Sequence, residues 1–321
     1  MSTITQNIDT IIAELRRGQI AAIPTETVYG LAGNAENDEA IKKIYALKNR
    51  PLNHPLIMHV AHNRDLTQWA NDVPDYAHQL IAAFWPGPLT LVLRCKPGAV
   101  SPLVTGRQDT VAIRCPAHPV AQALLSSLEF PLVAPSANPF GKISPTTAQH
   151  VQHSFKNDTL LILDGGRCSI GIESTIVSLI NPAGYQILRP GMIDEQAIQA
   201  VLSASQLQEQ NTIRVPGKLD SHYQPEKPLY CFNNAKSLQQ FCANNPESYV
   251  LSFSKNSDFA NFSGYQLPFN PQQLAYELYY QLRNADQSTS PAIVMELPPE
   301  EEIWSGIRER ALKAATPIKT D

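Results

Sequence analysis

Two cations, Lys48 and Arg50, stand two residues apart where a predicted helix ends, and Pro51 follows them directly. A proline biases the residue before it toward extended backbone, in which residues two apart project the same way. Both positive charges can therefore face one point in space. Charge-assisted hydrogen bonds from lysine and arginine are the strong contacts to phosphate, so the spacing predicts an anion clamp.

Further cations and hydroxyls recur along the chain, mostly where predicted strands end. The additional cations are Arg114 and Arg189, and the hydroxyl residues are Thr25, Thr27, Thr110, Ser136, Ser144 and Ser174. Open α/β sheets bind ligands at such strand ends. Any one of these residues is more often a surface charge or part of a solvated sheet face. As a recurring set they favour a polyphosphate together with a second small anion.

The run DTVAIRCP places a cation inside a strand that is otherwise apolar. Thr110 and Arg114 are four residues apart and therefore share one strand face. A charge buried in this way needs a partner, which can be a carboxylate or a bound anion.

An alternation of strands and helices positions these residues. PTETVYG follows a predicted strand at Ile20–Ile23 and is itself interpreted as extended, with Thr25, Thr27 and Tyr29 on one face. Ser144, with a proline after it, predicts the start of a helix. Strand–helix alternation throughout the chain predicts an α/β fold.

The polar, proline-rich run QLQEQNTIRVPGKLDSHYQPEKP divides the chain. We expect a larger α/β domain over residues 1–205, a linker over 206–228 and a smaller Rossmann-like α/β domain over 229–321. The linker's SHYQP segment can fold over a neighbouring site.

Composition limits the class of protein. A hydrophobic fraction of 43% and a charged fraction of 17% are those of a globular chain with a real core. The net charge of -4 argues against nucleic-acid binding over the whole surface, although it leaves a local basic groove as an alternative.

Five scattered cysteines without a C-x-x-C pair indicate buried, reduced thiols rather than disulfides or zinc. No signal-peptide core and no membrane-spanning run is visible, so cytoplasm is the expected location.

Familiar sites are absent from the sequence: there is no Walker A loop, no H-E-x-x-H and no G-x-S-x-G elbow. The motifs that are present are PTETVYGL, K-x-R-P, LIMH, WPGPLTLVL, DTVAIRCP, APSAN, GIEST and LRPG. In this order they resemble YrdC-like proteins, specifically the long, two-domain family of L-threonylcarbamoyladenylate synthases. SHYQP is similar to that family's H-Y-x-P element, and SGIRERALKAA is similar to its C-terminal end.

The resemblance implies a twisted, mainly open YrdC-like α/β sheet domain followed by a smaller Rossmann-like domain. It implies that ATP, bicarbonate and L-threonine give threonylcarbamoyl-adenylate and pyrophosphate. The product would supply the modification of the adenosine beside the tRNA anticodon, with other proteins performing the transfer and with weak tRNA or double-stranded RNA binding as an added expectation. Mg²⁺ would enter with ATP, held mainly by phosphate oxygens and not by a protein metal site.

Residue roles also follow from the resemblance. Lys48 and Arg50 would be the catalytic pair. The ATP-binding residues would be Lys48, Arg50, His54, Thr110, Ser136, Asn138, Ser144, Arg189, His222 and Tyr223. The threonine-binding residues would be Thr25, Thr27, His59, Arg114 and Ser174. His54 departs from the family, which often reads R-P-x-x-N-P-L at this point.

Two alternatives stay open at this point. One is carbamoyl-adenylate chemistry for another acceptor, as in the YrdC-like module of hydrogenase maturation proteins, although the Cys-rich and acylphosphatase-like segments of those chains have no counterpart here. The other is an RNA-binding module without catalysis.

Overall fold

The computed structural model describes residues 1–62, 64–181, 184–202, 205–206, 213–217, 222–254 and 261–317. Within these ranges the strands form one sheet of eleven and one of four. The strands are β1 (Thr3–Thr5), β2 (Ala21–Ile23), β3 (Gly30–Asn34), β4 (Ile57–His59), β5 (Leu89–Arg94), β6 (Thr110–Arg114), β7 (Leu132–Val133), β8 (Leu161–Leu163), β9 (Thr175–Ser178), β10 (Gly184–Arg189), β11 (Ser205–Gln206), β12 (Leu229–Phe232), β13 (Tyr249–Ser252), β14 (Gly264–Gln266) and β15 (Ile293–Glu296).

Helices cover both sheets. They are α1 (Ile8–Arg16), α2 (Asp38–Lys48), α3 (Asp75–Phe84), α4 (Pro102–Thr105), α5 (Pro119–Ser126), α6 (Ala148–Ser154), α7 (Glu195–Val201), α8 (Ala235–Asn244), α9 (Pro271–Gln287) and α10 (Ser305–Ala314), with 3₁₀ turns at Leu66–Gln68 and Glu302–Trp304. None of the helices in the described ranges is long and apolar enough to cross a membrane.

The large sheet mixes parallel and antiparallel pairs in the order β1-β8-β2-β3-β7-β4-β6-β5-β9-β10-β11. β4 and β6 run parallel, while β7 runs antiparallel to β4. Nearly all residues of the central strands are buried, because helices and loops cover both faces. The small sheet, in the order β12-β15-β13-β14, is entirely parallel. The predicted α/β fold with a second, smaller sheet is confirmed.

Helix α2 shows how local sequence positions a cation. The Asn37 side chain caps it by accepting hydrogen bonds from the amides of Glu39 and Ala40. The helix ends at Lys48, because Asn49 adopts a left-handed conformation with φ 52°. Lys48 therefore lies on a regular last turn, and Arg50 leaves the helix just beyond it.

One hydrophobic cluster joins the two sheets. It packs Val28, Ile143 and Ile172 from the first part of the chain against α9 and α10, through residues such as Leu274 and Ile307. The two parts are thus in contact through a shared core. The domain boundaries at 205 and 228 stay a prediction.

Two local predictions were wrong. PTETVYG is not extended: β2 ends at Ile23, and Thr25 folds a turn by accepting hydrogen bonds from the amides of Thr27 and Val28. A threonine hydroxyl competes well for backbone groups in a turn, which the alternation of residue types did not reveal. Ser144 does not start a helix either, since α6 begins at Ala148 with Thr147 as its cap.

The prediction of buried thiols is met by three of the five cysteines, whereas Cys95 and Cys231 are partly exposed. All five are free thiols, of which Cys115, Cys168 and Cys242 are buried. Burial raises the pKa of the Cys115 and Cys242 thiols to about 11. These two side chains are therefore protonated at neutral pH and act as apolar core residues.

Candidate active site

A cavity of about 50 Å³ lies where β4, β6, β7 and β10 end, under the linker segment that contains His222 and Tyr223. Eleven of the fifteen predicted site residues line it. These are Thr27, Lys48, Arg50, His59, Arg114, Ser136, Asn138, Ser174, Arg189, His222 and Tyr223. The chain thus brings together cations and hydroxyls from positions as far apart as Thr27 and Tyr223.

Lys48 and Arg50 form one wall of this cavity, as predicted, although not from a shared extended backbone. The Lys48 ammonium is buried and donates to the backbone carbonyls of Ser136 and Asn138. Burial and the nearby Arg50 lower the pKa of Lys48 well below its usual value. Burial likewise lowers the pKa of Arg50 to about 10. A bound polyanion would stabilise the charged form of both side chains.

Several buried polar atoms on the wall form no hydrogen bond with any residue that the structure describes. They are Arg50 Nε, Asn138 Oδ1, His222 Nδ1 and the Tyr223 hydroxyl. Buried donors and acceptors in folded proteins are nearly always satisfied, and leaving one unpaired costs about 1–3 kcal/mol. Their concentration in one cavity therefore indicates a polar ligand site.

Arg114 is held at the end of β6 by three neighbours. Its Nη1 donates to Thr27 Oγ1 at 2.8 Å and its Nε to the Gly87 carbonyl at 3.2 Å. Its Nη2 lies 2.7 Å from a Glu26 carboxylate oxygen, with both side chains buried. Arg114 and Glu26 therefore form a buried ion pair next to the cavity.

His59, on β4, stands beside this arginine. Its Nδ1 is 3.1 Å from the Ile57 carbonyl. Burial, reinforced by Arg114, lowers the pKa of His59 to about 3. The imidazole is therefore neutral at physiological pH and can donate or accept one hydrogen bond.

Ser174 and Arg189 form the opposite wall. The Arg189 Nη2 donates to the Ser174 carbonyl at 2.9 Å and to its hydroxyl at 3.1 Å. The Ser174 hydroxyl also shares a 2.8 Å hydrogen bond with Thr90. Arg189 Nη1 reaches the linker by donating to the Pro216 carbonyl at 3.1 Å. Burial lowers the pKa of Arg189.

Four predicted residues do not line the cavity. Thr25 bonds to Thr27 at 2.9 Å and supports the turn behind it. Thr110 shares the strand face of Arg114 but lies in a separate crevice beside Val215 of the linker. His54 packs edge-on against Phe140, with ring centroids 5.3 Å apart. The fourth, Ser144, is fully buried and donates to a carboxylate that the sequence reasoning missed.

That carboxylate is Glu173, in the GIEST motif directly before Ser174, and it lines the cavity. Ser144 Oγ donates to it at 2.5 Å, and Tyr279 and Arg310 contact it from the other side. Phe140 was missed as well; its amide donates to the Lys48 carbonyl at 2.8 Å, and the Arg50 guanidinium lies 5.5 Å from its ring. The available signal for Glu173 was that it is the one charged residue of the GIEST run.

The linker closes the cavity. The His222 and Tyr223 rings pack edge-on, 4.0 Å apart, and the Phe140 ring meets His222 at 6.0 Å. The His222 amide donates to the Lys313 carbonyl at 2.9 Å, which ties the segment to α10. Burial lowers the pKa of His222 to about 3 and raises that of Tyr223 to about 12, so both rings are neutral.

Comparison with known proteins matches two family profiles. The Sua5–YciO–YrdC profile, described as "Telomere recombination", matches residues 13–191, and the "Threonylcarbamoyl-AMP synthase, C-terminal domain" profile matches residues 193–316.

Relatives match over nearly the whole chain. A threonylcarbamoyl-AMP synthase of Bacillus subtilis (strain 168) is 38% identical, covering 98% of this chain and 94% of the relative. One from Pyrococcus abyssi is 34% identical, covering 94% and 92%. The solved structure of P. abyssi Sua5 complexed with L-threonine superposes with a TM-score of 0.88 at 32% identity, covering 98% of this chain and 97% of that one.

Proposed function

The chain belongs to the Sua5–YciO–YrdC family in the two-domain form of the threonylcarbamoyl-AMP synthases, and we propose from this premise how its cavity performs the reaction. The enzyme joins ATP, bicarbonate and L-threonine into threonylcarbamoyl-AMP and releases pyrophosphate. The observation that carries the assignment of the site is the set of buried, unpartnered polar atoms on a cationic wall.

The ATP phosphates bind to Lys48 and Arg50. A bound phosphate oxygen replaces the Ser136 and Asn138 carbonyls as the acceptor of the Lys48 ammonium hydrogen bonds. Arg50 Nε is a further donor, and it has no partner within the described residues. Arg189 adds charge from the opposite wall. Such preorganised cations stabilise the negative charge that develops on the phosphates.

Mg²⁺ enters as part of the MgATP substrate. Within the described ranges no three His, Cys, Asp or Glu side chains group closely enough to hold a metal ion. Mg²⁺ keeps several waters and is commonly bound through substrate phosphates, so phosphate oxygens and water suffice as ligands.

L-Threonine binds on the side of the cavity around Arg114, and the solved complex of the P. abyssi relative with L-threonine supports threonine as the amino-acid substrate. Its carboxylate binds beside the Arg114 guanidinium, and Thr27, His59 and Ser174 surround the rest of the amino acid. A guanidinium suits a carboxylate because both are planar and can form paired hydrogen bonds.

The chemistry requires positioning more than proton transfer. The neutral threonine nitrogen forms a bond to the bicarbonate carbon, water leaves, and a carbamate results. A carbamate oxygen then attacks the α-phosphorus, the bond from that phosphorus to the bridging oxygen breaks, and pyrophosphate departs with the electron pair. Because the carbamate is already an anion, charge neutralisation and alignment by the cations supply the catalysis.

Substrate entry requires the linker to move. The closed cavity of about 50 Å³ is far below the roughly 300–1,000 Å³ of pockets that bind ligands of this size. His222 and Tyr223 are its cover, so they swing out to admit ATP and return to exclude water. The product then passes to other proteins that modify the tRNA adenosine beside the anticodon, with tRNA itself binding weakly.

The test is pyrophosphate release measured with each substrate omitted in turn. Release requires ATP, threonine and bicarbonate together. Release that continues without threonine contradicts the proposal, and RNA binding with no ATP consumption supports the binding module instead.

A further inference from the structure

The cavity receives a structural contribution from the smaller sheet's half of the chain. Glu173 Oε2 accepts hydrogen bonds from the Tyr279 hydroxyl at 2.9 Å and from Arg310 Nε at 3.2 Å. Tyr279 lies on α9 and Arg310 on α10, whereas Glu173 lies on the cavity wall. The relative exposures of the three residues are 0%, 1% and 8% in that order.

Arg310 also donates hydrogen bonds to two backbone carbonyls next to the wall that Ser174 and Arg189 form. Its Nη1 donates to the Pro190 carbonyl and its Nη2 to the Glu173 carbonyl at 3.4 Å. The chain neighbours of these two residues are Arg189 and Ser174. One guanidinium from α10 therefore ties together the two backbone segments that carry the opposite wall.

Helix α10 packs in direct backbone contact with the segment that follows β10. A Cβ added at Gly306, on its first turn, would lie 3.0 Å from the Gly191 Cα. The glycine pair lets α10 pack against the end of β10, which is how Arg310 reaches Pro190. The contact is backbone against backbone and leaves little room for sliding.

The charges agree with the geometry. Burial alone would raise the pKa of Glu173, but Arg310, Arg189 and the Ser144 hydrogen bond lower it below the usual value. The carboxylate is therefore ionised and needs its cationic partner. Its other oxygen accepts from Ser144, so the same group also supports the loop between β7 and α6.

We propose that Arg310 is a positioning residue of the synthase reaction: from α10 it fixes Glu173 and Pro190, and so holds Ser174 and Arg189 in the alignment that binds L-threonine and phosphate. The inference rests on the proposed function and deepens it. The C-terminal part of the chain then has two roles: it holds the linker through α10, and it positions residues of the substrate site.

The experiment separates alignment from folding. Arg310→Gln alone leaves an unpaired buried carboxylate and lowers the unfolding temperature. Adding Glu173→Gln removes that charge, and the double variant recovers most of the unfolding temperature. Calorimetric titration with L-threonine then shows a Kd at least 10-fold above the wild-type value. Arg310→Lys, which keeps the charge but loses the fork between Glu173 and Pro190, shows at least a 5-fold increase.

The control is Arg308→Gln on the same helix. Arg308 bonds to Asn233, Pro298 and Glu300, away from the cavity, and its loss leaves the threonine Kd unchanged. Wild-type threonine affinity in both the double variant and Arg310→Lys would overturn the inference and make Arg310 purely structural. Failure of the proposed function is seen separately, as wild-type protein whose pyrophosphate release ignores threonine.

Discussion

Arg114 and Glu26 form a buried ion pair in which Arg114 Nη2 lies 2.7 Å from Glu26 Oε1. Glu26 compensates the charge of the guanidinium, while Thr27 and the Gly87 carbonyl fix its orientation. An incoming carboxylate at Arg114 would therefore share the guanidinium with Glu26. We propose that the carboxylate of L-threonine binds at this ion pair.

Replacing Glu26 by Gln tests this interpretation. Removing one partner of a buried ion pair costs about 3–5 kcal/mol, so the free energy of unfolding falls by that order. Threonine then restores the missing negative charge next to Arg114. We expect the threonine-induced rise in unfolding temperature, measured by calorimetry, to be larger in Glu26→Gln than in wild type. Glu129→Gln, which breaks an exposed pair with Arg16, is the control. An equal or smaller rise would contradict this interpretation.

Lys48→Ala and Arg50→Ala test the anion clamp. Each is expected to lower kcat by at least about 100-fold, as the loss of a preorganised charge-stabilising donor does. Unfolding temperatures should stay near that of wild type, because a desolvated charge is removed in each case. Lys42→Ala is the matched control, since Lys42 lies on the same helix and pairs with Glu39 at the surface. Full turnover in both site variants would mean that these cations do not act on phosphate.

Gln108 fastens the linker. Its side-chain amide accepts from the Arg214 amide at 2.8 Å and donates to the Arg214 carbonyl at 3.0 Å. Each such bond contributes about 1 kcal/mol, so Gln108→Ala should speed hydrogen exchange in residues 213–217 by about 10-fold or more. The measurement is exchange mass spectrometry, with Gln199→Ala on the surface of α7 as control. Unchanged exchange would show that Gln108 does not hold the linker.

Acid should destabilise the protein through buried neutral histidines. Burial lowers the pKa of His59, His150 and His222 to about 3. In the unfolded chain a histidine binds a proton below about pH 6.5, so unfolding is favoured as pH falls from 6.5 toward 3. Above pH 6.5 this contribution to stability is complete and flat.

The urea-derived free energy of unfolding should therefore drop below pH 6.5, by up to about 1.4 kcal/mol per pH unit for each of these histidines. His150→Asn, outside the cavity, should make the slope shallower by about one proton. His78→Asn, exposed on α3, controls for the loss of a histidine. A slope in His150→Asn equal to that of wild type would contradict the assignment of a buried neutral imidazole.

The sequence predicted the parts of the site that local chemistry determines. Lys48 and Arg50 meet at the cavity because a helix ends between them, and the capping Asn37 and left-handed Asn49 are local signals. Thr110 shares a strand face with Arg114 as expected. A strand face is longer than a cavity, however, and the linker's Val215 covers the part where Thr110 lies.

Contacts between distant parts of the chain could not be predicted. Glu173 meets Tyr279 and Arg310 across separations of 106 and 137 residues, and nothing in the local pattern specifies either partner. Likewise, the turn at Thr25 forms because the Thr25 hydroxyl accepts hydrogen bonds from the amides of Thr27 and Val28, and the residue types alone do not predict these bonds. Packing of α9 and α10 against the first sheet determines which polar residues become buried, and so which of them form the site.

The most direct measurement is the fate of carbon from bicarbonate. The protein is incubated with MgATP, L-threonine and ¹³C-labelled bicarbonate. The products are separated rapidly, and their masses are measured by mass spectrometry. We expect threonylcarbamoyl-AMP carrying one ¹³C, formed in equal amount to pyrophosphate and lost in Lys48→Ala. Pyrophosphate or AMP formed without a ¹³C-labelled threonine adduct would contradict it.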